Sequence, residues 1–133
     1  MKEIHAYLTF DGNANKAMRF YAKCFKAKLQ LMTFGEAGVP CSKAAQKRIM
    51  HARISKGSAV LMASDTMPGS KIKKGDNFSV SVACASVSEI EKLFKALSHK
   101  AKITMPLEET FWAKRFGMLT DQFGIQWMFN LDK

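Results

Sequence analysis

The 133-residue chain is 47% hydrophobic and 24% charged, the balance of one soluble globular domain, which excludes a disordered or low-complexity segment. Its formal charge of +10 favours anionic partners of any kind, yet no helix carries a basic stripe interleaved with exposed aromatics, so nucleic acid is a disfavoured partner. No apolar run approaches the roughly 20 residues that span a bilayer, and the opening MKEIHAYLTFDG alternates like a strand without the apolar centre of a secretory signal, so a cytoplasmic protein without membrane association is expected.

In chain order, residues 4–10 alternate as a first strand, with His5, Tyr7 and Thr9 on one face and Ile4, Ala6, Leu8 and Phe10 on the other. The DGNA turn then offers Asn13 as a helix N-cap. Ala14, Ala17, Met18, Tyr21, Cys24 and Phe25 follow at spacings of three and four, the apolar stripe of an amphipathic helix. KLQLMTF returns as a strand, and residues 35–47 read as a long polar loop with Gly38 and Pro40. RIMHARIS and AVLMAS, joined by a turn at residues 56–58, form a hairpin.

The second half repeats the plan. NFSVSVACA is a strand, and Ser86 with Glu89 three residues on is a capping box opening a helix that carries Ile90, Leu93, Phe94 and Leu97. AKITMPL returns as a strand, a loop and FGMLT follow, and a turn at residues 121–124 leads into the last strand. There Ile125, Trp127 and Phe129 alternate with Gln126, Met128 and Asn130. A shift of 74 residues superimposes Phe20 on Phe94, Lys26 on Lys100 and Lys28 on Lys102, a short internal match that supports two equivalent modules. The expected fold class is α+β, with two tandem βαβββ modules, at about residues 1–68 and 75–133, forming a half-open barrel with helices outside.

Cys24, Cys41 and Cys84 match neither a disulfide framework nor a metal knuckle; the first and third are expected in the core. Walker A, G-x-S-x-G and G-x-G-x-x-G motifs are absent, which argues against nucleotide, hydrolase and dinucleotide chemistry. Glu108 and Glu109 read as solvated acids, His51 as a packed or surface residue, and His99 as a cation suited to a helix C-terminus. Phe111 and Trp112 are candidates to close a pocket.

The stretches YLTFDGNANKAMRFY, HARISKGSAVLMASD and MPLEETFWAKRFGMLTDQFGIQWMFN, in that order, resemble the PhnB-like branch of the glyoxalase, bleomycin-resistance and ring-cleaving dioxygenase superfamily, the vicinal oxygen chelate proteins. The resemblance covers nearly the whole chain and implies a homodimer. It also implies that a divalent metal, where present, is held by His and Glu side chains of the first and last strands of each module. Those positions fall here on His5, Met62, Ser79 and Met128, so only His5 matches a superfamily ligand. Thioethers and a neutral hydroxyl hold such ions poorly.

No cofactor is therefore expected, with a divalent metal bound through His5 as the alternative. In that alternative the chain is a metal-dependent lyase, isomerase or dioxygenase. The leading expectation is a small-molecule ligand, of anionic character if the basic end of the 35–47 loop covers it. The ligand occupies a cavity lined by His5, Tyr7, Met62, Ser79, Ser81, Gln126 and Met128, and catalysis is left open. Branch members carry names suggesting phosphonate metabolism or demethylubiquinone methylation, but nothing in this sequence resembles an S-adenosylmethionine site.

Overall fold

In the computed structural model, which describes residues 1–133, the N-terminal alternation becomes strand β1 (Tyr7–Phe10). It is followed by α1 (Ala14–Phe25), β2 (Lys28–Thr33), the short α2 (Lys43–Gln46), β3 (Ile49–Lys56) and β4 (Ala59–Asp65). The second set comprises β5 (Val80–Ala83), α3 (Val87–Leu97), β6 (Lys102–Glu108), β7 (Ala113–Thr120) and β8 (Gln126–Asp132). The chain divides into two units, Met1–Lys74 and Gly75–Lys133. Each holds one four-stranded sheet, in the orders β1-β4-β3-β2 and β5-β8-β7-β6. In both, the first strand runs parallel to the last and the other pairs are antiparallel, so the architecture is α+β with tandem βαβββ modules.

Each sheet buries one face. In the first unit Leu8, Phe10, Ala52, Ile54, Leu61 and Ala63 alternate into the core, where α1 brings Ala17, Met18 and Tyr21 against β2, β3 and β4. In the second, Leu119, Trp127, Phe129 and Leu131 meet Ile90, Phe94 and Leu97 of α3. Phe94 stands edge-on to Phe129 with ring centroids 5.5 Å apart. Burying a side chain of that size contributes roughly 2–3 kcal/mol, enough to fix which face of β8 is inward. Gly117 makes the approach of α3 possible, because a Cβ there would lie 2.8 Å from Phe94 Cε2 and 3.1 Å from Leu107 Cα.

Several local expectations change. The first strand begins at Tyr7 instead of residue 4, because its ladder with β4 starts at Tyr7↔Met62 and Ile4, 80% exposed, has nothing to pack on. For the same reason β5 spans only Val80–Ala83, leaving Phe78 exposed. The 35–47 loop contains α2, capped by Ser42 Oγ, which accepts from Ala45 N at 3.2 Å. Asn13 occupies the N-cap position of α1 but makes no side-chain cap hydrogen bond. That work falls to Asp65, 51 residues away from Ala14: its Oδ1 accepts from Gly12 N and Ala14 N at 2.8 and 3.0 Å. Cys24 and Cys84 are half-buried and not core residues.

Candidate functional site

The faces turned away from the helices are built differently from the core faces. In the first sheet, residues 51, 53 and 55 of β3 alternate with the buried Ala52 and Ile54 and so share the outer face. The register places Arg53 between Gln30 of β2 and Met62 of β4, places Met62 beside Tyr7 of β1, and places Met32 beside His51. Tyr7 Oη and His51 Nδ1 are 3.0 Å apart, with ring centroids 5.8 Å apart and tilted by 34°. This is the one side-chain hydrogen bond joining β1 to β3, across the strand that separates them.

His5 precedes the β1 ladder, and its Nε2 lies 2.9 Å from Glu3 Oε2. The Cα partner of Met62 is therefore Tyr7, two residues beyond the position the resemblance implies. The second sheet has the same offset. Ser79 precedes the β5 ladder, and the partner of Met128 is Ser81. Met128 also pairs with Met118, and Met118 with Met105, so one row crosses the sheet as Ser81, Met128, Met118 and Met105. Gln126 Nε2 donates to Gly75 O at 3.4 Å. Phe111 and Trp112 stand at the tip of the β6–β7 hairpin, closed by Thr110 and Ala113, and are 88% and 45% exposed. Their rings meet edge-on at 4.8 Å, and Trp112 meets Phe116 at 5.3 Å.

His51, Arg53, Met105 and Met118 were not among the residues expected at a site. A sequence signal existed for the β3 pair, since His51 and Arg53 alternate with Ala52 and Ile54 as an outer face would. None existed for Met105, because two register shifts along β6 break the period of two.

The buried charged groups are structural. Asp65 accepts from three backbone N–H groups, the third being Ile49 N at 2.8 Å, and is 4% exposed. Asp121 accepts from Phe123 N, Ile125 N and Trp127 Nε1 at 2.8, 3.0 and 2.8 Å, tying the final turn to the core tryptophan. Burial pushes the Cys84 thiol up to about 11, and the charge and hydrogen bonding of Glu89 push the same way. An open cavity of about 410 Å³ is lined by Asp11, Gly12, Ser42, Lys47, Arg48 and Ser70 and takes in none of the residues expected at a site. At the four positions the resemblance assigns to metal ligands stand one imidazole, two thioethers and a hydroxyl. No group of three or more His, Cys, Asp or Glu side chains is placed to hold an ion. The donors present do not fit a hard divalent cation, which takes oxygen or imidazole ligands.

The family described as 3-demethylubiquinone-9 3-methyltransferase matches residues 2–129. The chain belongs to this PhnB-like family. Among similar proteins, Protein YjdN of Escherichia coli (strain K12) is 33% identical over 98% of this chain and 95% of its own. The crystal structure of protein PA1353 from Pseudomonas aeruginosa is 39% identical, covers 99% of this chain and 98% of that one, and superimposes with a TM-score of 0.90. A PhnB protein from Bacillus cereus, described as a 3-demethylubiquinone-9 3-methyltransferase, is 26% identical over 98% and 99% of the two chains, with a TM-score of 0.78. The fold is that of the glyoxalase and bleomycin-resistance superfamily, so the PhnB-like chain keeps the superfamily's scaffold.

Proposed function

We propose that this PhnB-like protein binds a small organic molecule on the helix-free strand faces, without a divalent metal, and works as a homodimer. The observation that carries the reading is the Tyr7–His51 hydrogen bond at 3.0 Å, flanked by Met62 and Met32. A face meant only for solvent has no need of thioethers, and a face meant only for packing has no need of a phenol bonded to an imidazole. Methionine adapts to an irregular apolar guest while the polar pair fixes its orientation. The second unit offers the same mixture in Ser81, Met128 and Gln126, with Ser79, Phe111 and Trp112 as its further lining residues, and His5 is the further candidate of the first unit. The charge of +10 favours an anionic guest. The metal positions are degenerate on this reading, because two thioethers stand where carboxylate or imidazole is needed. Methyl transfer is not part of it, since the sequence offers no glycine-rich cofactor turn.

The test is methyl NMR of the nine methionines during titration with a panel of small aromatic and aliphatic acids and neutral compounds. Saturable shifts of Met32, Met62 and Met128, with Met18 in the core unmoved, are expected. If no compound moves these methyls, the reading is wrong. Light scattering should give twice the 14.9 kDa chain mass.

A further inference from the structure

The chain has four arginines, and three are engaged. Arg19 Nε donates to Asn15 Oδ1 at 2.6 Å. Arg48 Nη2 donates to Asp11 Oδ1, Thr66 O and Thr66 Oγ1 at 3.1, 3.2 and 2.7 Å. Arg115 Nη1 donates to Lys114 O at 2.7 Å, with Nε 4.0 Å from Glu91 Oε1. The guanidinium of Arg53 has no hydrogen bond or ion pair, although the residue is half-buried. The residue is partly covered by its sheet neighbours Gln30 and Met62, and its guanidinium keeps its donors for a ligand. Its planar fork of donors matches a carboxylate in two parallel hydrogen bonds.

The neighbours of Arg53 define what else such a carboxylate must carry. Met62 lies beside it in the register and Tyr7 beside Met62, so guanidinium and phenol share one row of one face. His51 lies two residues along β3 from Arg53 on the same face and is bonded to Tyr7 through Nδ1. When Nδ1 accepts the phenol proton, Tyr7 is held in place with its oxygen open to a further donor. When Nδ1 carries the proton and donates to Tyr7, the phenol O–H is released toward a guest. The pair can thus serve a hydroxyl or a carbonyl oxygen next to the carboxylate, and Met32 and Met62 provide apolar contact for the remainder.

We infer that Arg53, Tyr7 and His51 form a recognition site for a small carboxylate with an oxygen on the adjacent carbon, the 2-oxo and 2-hydroxy acid class, with an apolar substituent on the two methionines. This rests on the reading of the helix-free face as a binding surface and narrows it to one ligand chemistry.

Three matched compounds test it by calorimetric titration of the full chain: phenylpyruvate, phenylacetone (lacking the carboxylate) and hydrocinnamate (lacking the oxo group). Phenylpyruvate should bind tightest. Arg53→Met should weaken it about tenfold and leave phenylacetone unchanged, since a charge-assisted bidentate pair is lost. Tyr7→Phe should weaken phenylpyruvate about fivefold and hydrocinnamate less. Arg53→Lys should retain part of the affinity, and an unshifted methyl resonance of the core Met18 in each free variant verifies its fold. Equal affinity for phenylpyruvate and phenylacetone, or an unchanged phenylpyruvate affinity in Arg53→Met, overturns the inference. If phenylacetone still shifts Met32 and Met62 in that event, the broader small-molecule reading stands while the acid class falls. If none of the three binds, the inference falls, and the wider methionine titration decides the fate of the binding surface.

Discussion

Asp65 and Cys84 illustrate opposite uses of a half-apolar setting. The Asp65 carboxylate is buried yet fully engaged by three backbone donors, so its burial is offset by charge-assisted hydrogen bonds that fasten α1, β3 and β4 together. Cys84 has a partner of the opposite effect, the Glu89 carboxylate, which favours the protonated thiol. Burial and the neighbouring Glu89 raise its thiol from 9.0 to about 11, so it stays protonated and unreactive at neutral pH. The folded chain therefore holds this proton more tightly than the unfolded one. The resulting stabilisation is complete below pH 9.0 and lost as the pH rises through about 11. Alkylation of Cys84 by iodoacetamide, followed by mass spectrometry, should accelerate only toward that upper value, and Glu89→Gln should move the onset to lower pH. Neither aspartate role was legible from sequence, because their partners are backbone groups brought close only by the fold. The expectation of Cys84 in the core came from the alternation of NFSVSVACA, but Cys84 lies one residue beyond the edge strand β5 and is only partly covered.

At the scale of elements, the 74-residue repeat has a structural meaning that periodicity alone does not supply. Lys26 ends α1 and Lys100 follows α3, and both sit in the left-handed region, with φ of 51° and 56°. That conformation costs an L-residue roughly 1–2 kcal/mol and is the one glycine adopts freely at a helix C-terminus. Lys26→Gly and Lys100→Gly should each raise the unfolding free energy by about 1 kcal/mol, less the entropy glycine loses on folding. Urea denaturation measures this, and a loss of stability in both would show that the lysine side chains hold the turns. Helix and central-strand positions were legible because burial imposes their period: the alternation around Trp127 and Phe129 in β8 is the clearest case. Strand ends were not. β1 and β5 are edge strands whose length depends on where the partner ladder starts, and no local residue encodes that. The short α2 was hidden because its four residues are too few to show a helical period.

For the whole molecule, the family and the βαβββ plan were readable from motifs spread along the chain, and the PhnB-like match over residues 2–129 agrees with them. The candidate site was legible only in part. Tyr7, Met62, Ser81 and Met128 fall on registered neighbours, whereas His51 and Arg53 required the sheet to reveal what they face. The superfamily scaffold supports metal chemistry elsewhere through carboxylates and imidazoles. On the proposed reading thioethers, Met62 and Met128, stand at two of those places, and a soft neutral sulfur does not replace a charged oxygen for a hard ion. The direct test is elemental analysis of protein purified without a chelator or a metal-binding tag, followed by titration with Mn²⁺, Ni²⁺ and Zn²⁺ for the wild-type chain and His5→Ala. No stoichiometric metal and no uptake that depends on His5 are expected. One bound ion per chain, lost in His5→Ala, would contradict the metal-free reading.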